Sequence, residues 1–159
     1  MNATPLRLVI AMDLRRASYR VVEAGQLLAS RVGAHVHLVH VLEEPFMMPA
    51  PYQRHLPDTP SRRRQLREQR LAALEVFAEA LRERGIGTSV EVRSGEASEQ
   101  IVQAASDHAA DVLVMGTQIK KGFDHLLRRG VTDRVLSRTP CPILIVPAGR
   151  IGTQAACVG

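Results

Sequence analysis

Tryptophan is absent from the 159-residue chain, and aromatic residues make up only 3% of it. So few rings leave no run of Phe or Tyr interleaved with arginine, the pattern on which bases of a single-stranded nucleic acid stack. Cysteine is nearly missing too. Cys141 and Cys157 stand alone, without a CxxC pair or a zinc-ligand spacing, which excludes a zinc finger and a disulfide framework. Cys141, between Pro140 and Pro142 and ahead of an apolar run, reads as a small core residue. No apolar stretch approaches the roughly 20 residues that span a bilayer. Met1 to Met12 lacks the long apolar segment of a secretory signal. A cytoplasmic location is therefore expected, with no membrane partner.

The length suits one domain with a single sizeable core. Formal charge is +5, and its densest source is Arg62, Arg63, Arg64, Arg67 and Arg70. The same helical stretch carries Glu68, Glu75, Glu79 and Glu83, so its spacing predicts a solvated face laced with ion pairs. Binding of nucleic acid or an acidic partner through these arginines is the least favoured of three functional readings.

Strand and helix patterns alternate along the chain. Leu6–Met12 predicts a strand ending at Asp13, and Ala17–Val32 a helix burying Val21, Val22, Leu27, Leu28 and Val32 before Gly33. Val36–Leu42 predicts a second strand. His35, His37 and His40 sit on or beside it, but no cysteine or carboxylate is arranged to complete a metal shell. Structural or surface roles are expected for all three, and no metal. Glu43–Pro60, with five prolines, predicts an irregular loop. Ser61 is then expected to cap a helix to Arg84 with Leu66, Leu71, Leu74, Phe77, Ala78 and Leu81 on its buried face. Thr88–Val92 predicts a third strand. Glu96 and Glu99 open a third helix whose buried stripe is Ile101, Val102, Ala105 and Ala109. Residues 149–159 are small and polar, so the domain is expected at 1–148, followed by a disordered tail.

The most informative segment is Asp111–Val146, DVLVMGTQIKKGFDHLLRRGVTDRVLSRTPCPILIV. An apolar strand runs into Gly116, then a basic loop, a short helix from Val131, and a last apolar strand, Ile143–Val146. From Met115-Gly116-Thr117 through His125-Leu126-Leu127 to Pro140-Cys141-Pro142-Ile143-Leu144-Ile145-Val146, this segment resembles the universal stress protein family. That family's ATP binders show Gly-x2-Gly-x9-Gly-Ser/Thr between the last two strands. Gly116 matches the first glycine. Ile119 and Arg129 stand at the second and third, and Gly130 at the Ser/Thr.

Alternation of strands and helices argues for a doubly wound α/β domain with a parallel sheet. The resemblance implies five strands in the order 3-2-1-4-5, so winding reverses between the first and fourth, where open α/β sheets bind ligands. It also implies an adenine-nucleotide site at Ala11, Asp13, Val41, Met115, Gly116, Ile119, Arg129, Gly130 and Val131. Asp13 would meet the ribose there, or else cap the following helix. Leu14-Arg15 departs from the small Gly-Ser usual in the family. Ile119 and Arg129 add bulk where phosphates need close approach, and Gly130 removes a hydroxyl donor. Lys120, Lys121, Arg128 and Arg129 offer side-chain charge instead. His125 reads as a surface residue rather than a general base.

The leading reading is therefore a stress-response regulatory or binding module, non-enzymatic and a poor ATP binder. An ATP-binding member with slow turnover is the alternative. The resemblance further implies a homodimer through the final strand, Ile143, Leu144, Ile145 and Val146.

Overall fold

The computed structural model describes residues 4–15, 18–43, 59–117 and 130–147. Most of the proline-rich loop, the basic segment with Ile119, His125 and Arg129, and the tail 149–159 lie outside the described residues. Five strands and four helices alternate: β1 (Arg7–Ala11), α1 (Ser18–Val32), β2 (His35–Leu42), α2 (Pro60–Arg82), β3 (Thr88–Ser94), α3 (Ala97–Asp107), β4 (Val112–Thr117), α4 (Val131–Leu136) and β5 (Ile143–Pro147). Every strand pair is parallel, in the order β3-β2-β1-β4-β5. The expected doubly wound five-stranded sheet is thus observed.

A central parallel strand must bury both faces, and β1 does so with successive side chains. Leu8, Ile10 and Met12 join Val36, Leu38 and Val114 beneath Val21, Val22 and Ala29 of α1 and Leu74, Ala78 and Leu81 of α2. Val9 and Ala11 turn the other way. They pack with Val39, Leu113 and Met115 against Ile101 and Ala104 of α3 and Val135 of α4. No described helix is long and apolar enough to cross a membrane.

Helix α2 begins earlier than expected. Its cap is Thr59, not Ser61: the Thr59 side chain accepts from the Arg62 N–H, and Pro60 takes the first helical position, where no N–H is needed. Residues 60–69 are exposed, and the buried positions are Leu74, Ala78 and Leu81. Leu66 and Leu71 therefore lie outside the core. The helix enters from the carboxyl end of β2, so its first ten residues add about 15 Å beyond the part that packs. Two arginines on it pair as the spacing predicts, Arg64 with Glu68 at 2.9 Å and Arg82 with Glu75 at 2.9 Å.

Two other buried stripes shift. In α1, Leu27 and Val32 are exposed, at 60% and 43%, while Gly25 and Ala29 face the sheet. In α3, Ser98, Ile101, Ala104 and Ala105 are buried, and the helix stops at the His108 cap. Ala109 adopts a left-handed φ of 45° and is exposed. Hydrophobic spacing alone overweights large side chains here, because α1 and α3 approach the sheet through small ones.

Gly25 shows how close that approach is. A Cβ at Gly25 would collide with Ile10 Cδ1, and Ile10 has no exposed surface into which to move. A glycine in mid-helix costs about 1 kcal/mol relative to alanine when nothing else intervenes. We expect the sign to reverse: Gly25→Ala should destabilise the fold by about 1–3 kcal/mol through overpacking. Urea unfolding of the two proteins measures this, and a more stable variant would contradict the packing described.

Candidate functional site

The winding reverses between β1 and β4, and in open α/β sheets the ligand crevice lies at such a point, beyond the carboxyl ends of the strands. Parallel register sets Ala11 directly beside Met115. Both belong to the apolar cluster on the α3 side, with Val41 of β2 and Val131 of α4 packed against the same cluster. Four of the expected binding residues thus share one apolar wall.

Asp13 follows at the rim, its side chain 41% exposed. Its Oδ1 accepts from the Ser18 hydroxyl at 2.8 Å and from the Arg15 N–H at 3.0 Å. Through these bonds the aspartate organises the turn leading into α1 by way of the Ser18 side chain, rather than by accepting a helix N–H, and its carboxylate is held in orientation. Between these two anchors Leu14 holds a φ of +56°, a conformation that glycine adopts without cost. For leucine it costs roughly 1–2 kcal/mol, and the side chain offsets part of this by packing on the α1–α2 core.

Gly116 serves a different face. A Cβ there would lie 3.0 Å from Val21 Cγ2, so its missing side chain lets α1 settle onto β4. Gly130 caps α4 at φ −63° and ψ 169°, ordinary for any residue, with nothing near its would-be Cβ and no side-chain cap. Ile119 and Arg129 lie outside the described residues. Near the crevice, Arg134 of α4 pairs with Glu96 at 3.2 Å. Glu96 in turn caps α3, accepting from the Glu99 N–H and the Ser98 hydroxyl. That pair locks α4 to α3 behind the apolar wall.

His40, for which a structural or surface role was expected, has a structural one. Buried beneath the crevice, it places Nδ1 2.8 Å from the Met12 carbonyl and pins the end of β1 just ahead of Asp13. His37 is buried too, but at the other end of the sheet, where it meets Glu91 and His108. The expectation that no carboxylate stands ready beside these histidines does not hold at Glu91. Separation of 54 and 71 positions from His37 hid both partners. A concavity of about 360 Å3 also opens at the amino ends of the strands, between Ala29, Gly33, His35 and Gly85–Gly87. It lies far from the winding reversal and gathers no set of converging polar groups.

With this geometry in hand, comparison with known proteins is specific. Residues 6–147 match the model of the universal stress protein family. Universal stress protein MJ0531 of Methanocaldococcus jannaschii is 33% identical over 81 residues, 51% of this chain and 48% of that protein. The chain thus spans about half the length of the first curated relatives it matches. Among solved structures, a universal stress protein in complex with cAMP superposes with a TM-score of 0.66 at 18% identity, covering 92% of this chain and 100% of the other. One from Archaeoglobus fulgidus in complex with dAMP gives 0.60 at 19%, covering 91% and 98%. At those identities the likeness is one of fold.

The buried histidines give the fold a pH dependence. Burial holds the His40 imidazole below its ordinary value of 6.5, outweighing the bond to the Met12 carbonyl; Arg70 adds to the lowering and Asp13 opposes it. Burial lowers His37 likewise. The unfolded chain then binds protons that the folded chain refuses, so stability should fall as pH drops below about 6.5. Glu91 and Glu96 titrate lower: although partial burial works the other way, their hydrogen bonds hold both carboxyls below 4.5. Denaturation midpoints at pH 7.5 and 5.5 should differ, and His40→Gln should shrink the difference. A flat profile between those values would contradict the assignment.

Proposed function

The chain belongs to the universal stress protein family, and on that footing we propose that it is a regulatory binding module whose crevice takes an adenine nucleotide with a single phosphate and holds ATP poorly. One observation carries this reading. Ala11, Val41, Met115 and Val131 line a common apolar wall beside the oriented carboxylate of Asp13. An apolar wall suits a purine ring, and a carboxylate accepts from ribose hydroxyls.

The triphosphate end is less well provided. Ile119 and Arg129 stand where the family's motif has glycine, and Gly130 where it has a hydroxyl. Two proteins of the same fold hold cAMP and dAMP, each with one phosphate. Such ligands need little of the close backbone approach that a triphosphate demands. Positive charge stands nearby on α2: the Arg70 charge acts on His40, and Arg62, Arg63, Arg64 and Arg67 precede it on the exposed turns. Asp13 is tied to Ser18 and the Arg15 N–H and so serves to orient ligand rather than to carry protons. Slow ATP turnover is the competing activity.

Calorimetry with AMP, cAMP and ATP separates these readings. AMP or cAMP should bind at least as tightly as ATP. Millimolar ATP near its Kd should stabilise by only about 0.4 kcal/mol, from RT ln(1 + [L]/Kd). A micromolar Kd for ATP would overturn the reading in favour of the slow ATPase.

We further propose a homodimer through β5. The strand forms one edge of the sheet, is apolar from Ile143 to Val146, and exposes Leu144 by 38%. A twofold partner strand would satisfy that edge. Sedimentation at micromolar concentration should give a dimer, and Ile145→Pro, which removes a ladder donor, should give monomer. Wild-type monomer under those conditions would rule it out.

A further inference from the structure

The remaining polar cluster lies toward the amino ends of the strands, across the sheet from the crevice opening. His37 of β2 and Glu91 of β3 project on the face that α3 covers, since the register pairs His37 with Ser89 and Val39 with Glu91. Helix α3 returns over this face and sets its capping residue, His108, above them. Glu91 Oε2 lies 3.2 Å from His37 Nε2 and 3.1 Å from His108 Nε2. The three donor atoms are all within 4.8 Å of one another. In a tetrahedral zinc site with bonds of about 2.0–2.1 Å, neighbouring donors are about 3.3 Å apart. Two of the three separations already match.

We propose that His37, Glu91 and His108 bind one divalent transition-metal ion of the zinc type, with a further position left for solvent. Two imidazoles and one carboxylate form a donor set suited to zinc. The two rings are stacked, centroids 3.5 Å apart and tilted by 27°, so for both Nε2 lone pairs to meet one ion the His108 ring, partly exposed at the helix end, turns about its side-chain bonds with the backbone unchanged.

The groups around the three donors fit the same purpose. Arg93 pairs with the other carboxylate oxygen, Oε1, at 3.1 Å, which leaves Oε2 to the histidines. Asp107 balances Arg93 at 2.8 Å and is itself bonded by Gln103. Glu91, Asp107 and Arg93 together carry one net negative charge, which favours a cation. Ser89 completes the arrangement: its hydroxyl lies 2.8 Å from His37 Nδ1 and 3.2 Å from His35 Nε2. Without metal, Ser89 donates to Nδ1 while His37 Nε2–H bonds Glu91. With metal, Nδ1–H donates to Ser89, the hydroxyl turns to His35, and the Nε2 lone pair is released for coordination. A buried histidine thus changes partner with neither ring nitrogen left unsatisfied, the task usually met by groups hydrogen-bonded to metal-bound imidazoles. The ion would fasten the last turn of α3 to the β2–β3 edge.

The test uses the full chain without an affinity tag, stripped by chelator and titrated with ZnCl2 against a chromophoric competitor. The expected result is saturation at one zinc per chain, with a rise in melting temperature. His108→Ala and Glu91→Gln should each weaken binding at least tenfold, and Ser89→Ala by a smaller factor. His40→Gln, at the other end of the sheet, should leave it unchanged. Co2+ should give visible ligand-field bands that His108→Ala abolishes. His108 is partly exposed at a helix end, so this variant keeps its fold even if His37→Ala does not. Absence of saturable binding, or equal affinity in His108→Ala and Glu91→Gln, would overturn the proposal.

Discussion

The seating of α1 on the sheet is the constraint on which the molecule turns. Two glycines make it, from opposite partners: Gly25 of the helix lies on Ile10, and Gly116 of β4 lies beneath Val21. Neither contact has room for an added methyl group that does not displace a core side chain. Because α1 leaves from the end of β1 and packs across to β4, this seating fixes the two strand ends that bound the crevice. It also fixes the turn in which Asp13 is held by Ser18 and the Arg15 N–H. A helix set further out would widen the crevice and loosen that turn together.

Much of this was legible in the chain. Elements and their order follow from alternation of two hydrophobic periods, and all nine are present where spacing put them, within a few residues. Strand order came from resemblance, since periodicity carries no information about which strands are neighbours. The departures have physical reasons. A buried stripe assigned by size places Leu27 and Val32 inside, whereas close packing selects Gly25 and Ala29. A cap assigned to serine at 61 overlooks that Pro60 can begin a helix, which moves the cap to Thr59.

The site divides in the same manner. Ala11, Val41, Met115 and Val131, which the resemblance named together, belong to one apolar cluster. Gly116, expected to admit phosphate, is explained by helix packing at the described face. His40 and the His37–Glu91–His108 group were not legible as units, because each joins elements far apart in sequence. Only the register between β2 and β3, and the point at which α3 stops, bring them within bonding distance.

The two edges of the sheet differ in kind. β5 presents Ile143 to Val146, whereas β3 carries Ser89, Glu91 and Arg93, with an ion pair on its inner face. Inward-facing charge on an edge strand opposes the addition of another chain there. Assembly by strand pairing therefore has a single direction open to it. If β5 pairs as proposed, one receptive edge and one refractory edge would let the molecule join once and stop, so concentrating the protein would add closed pairs rather than lengthen sheets. Such pairing would guard a short, strongly apolar strand against fibrillar growth.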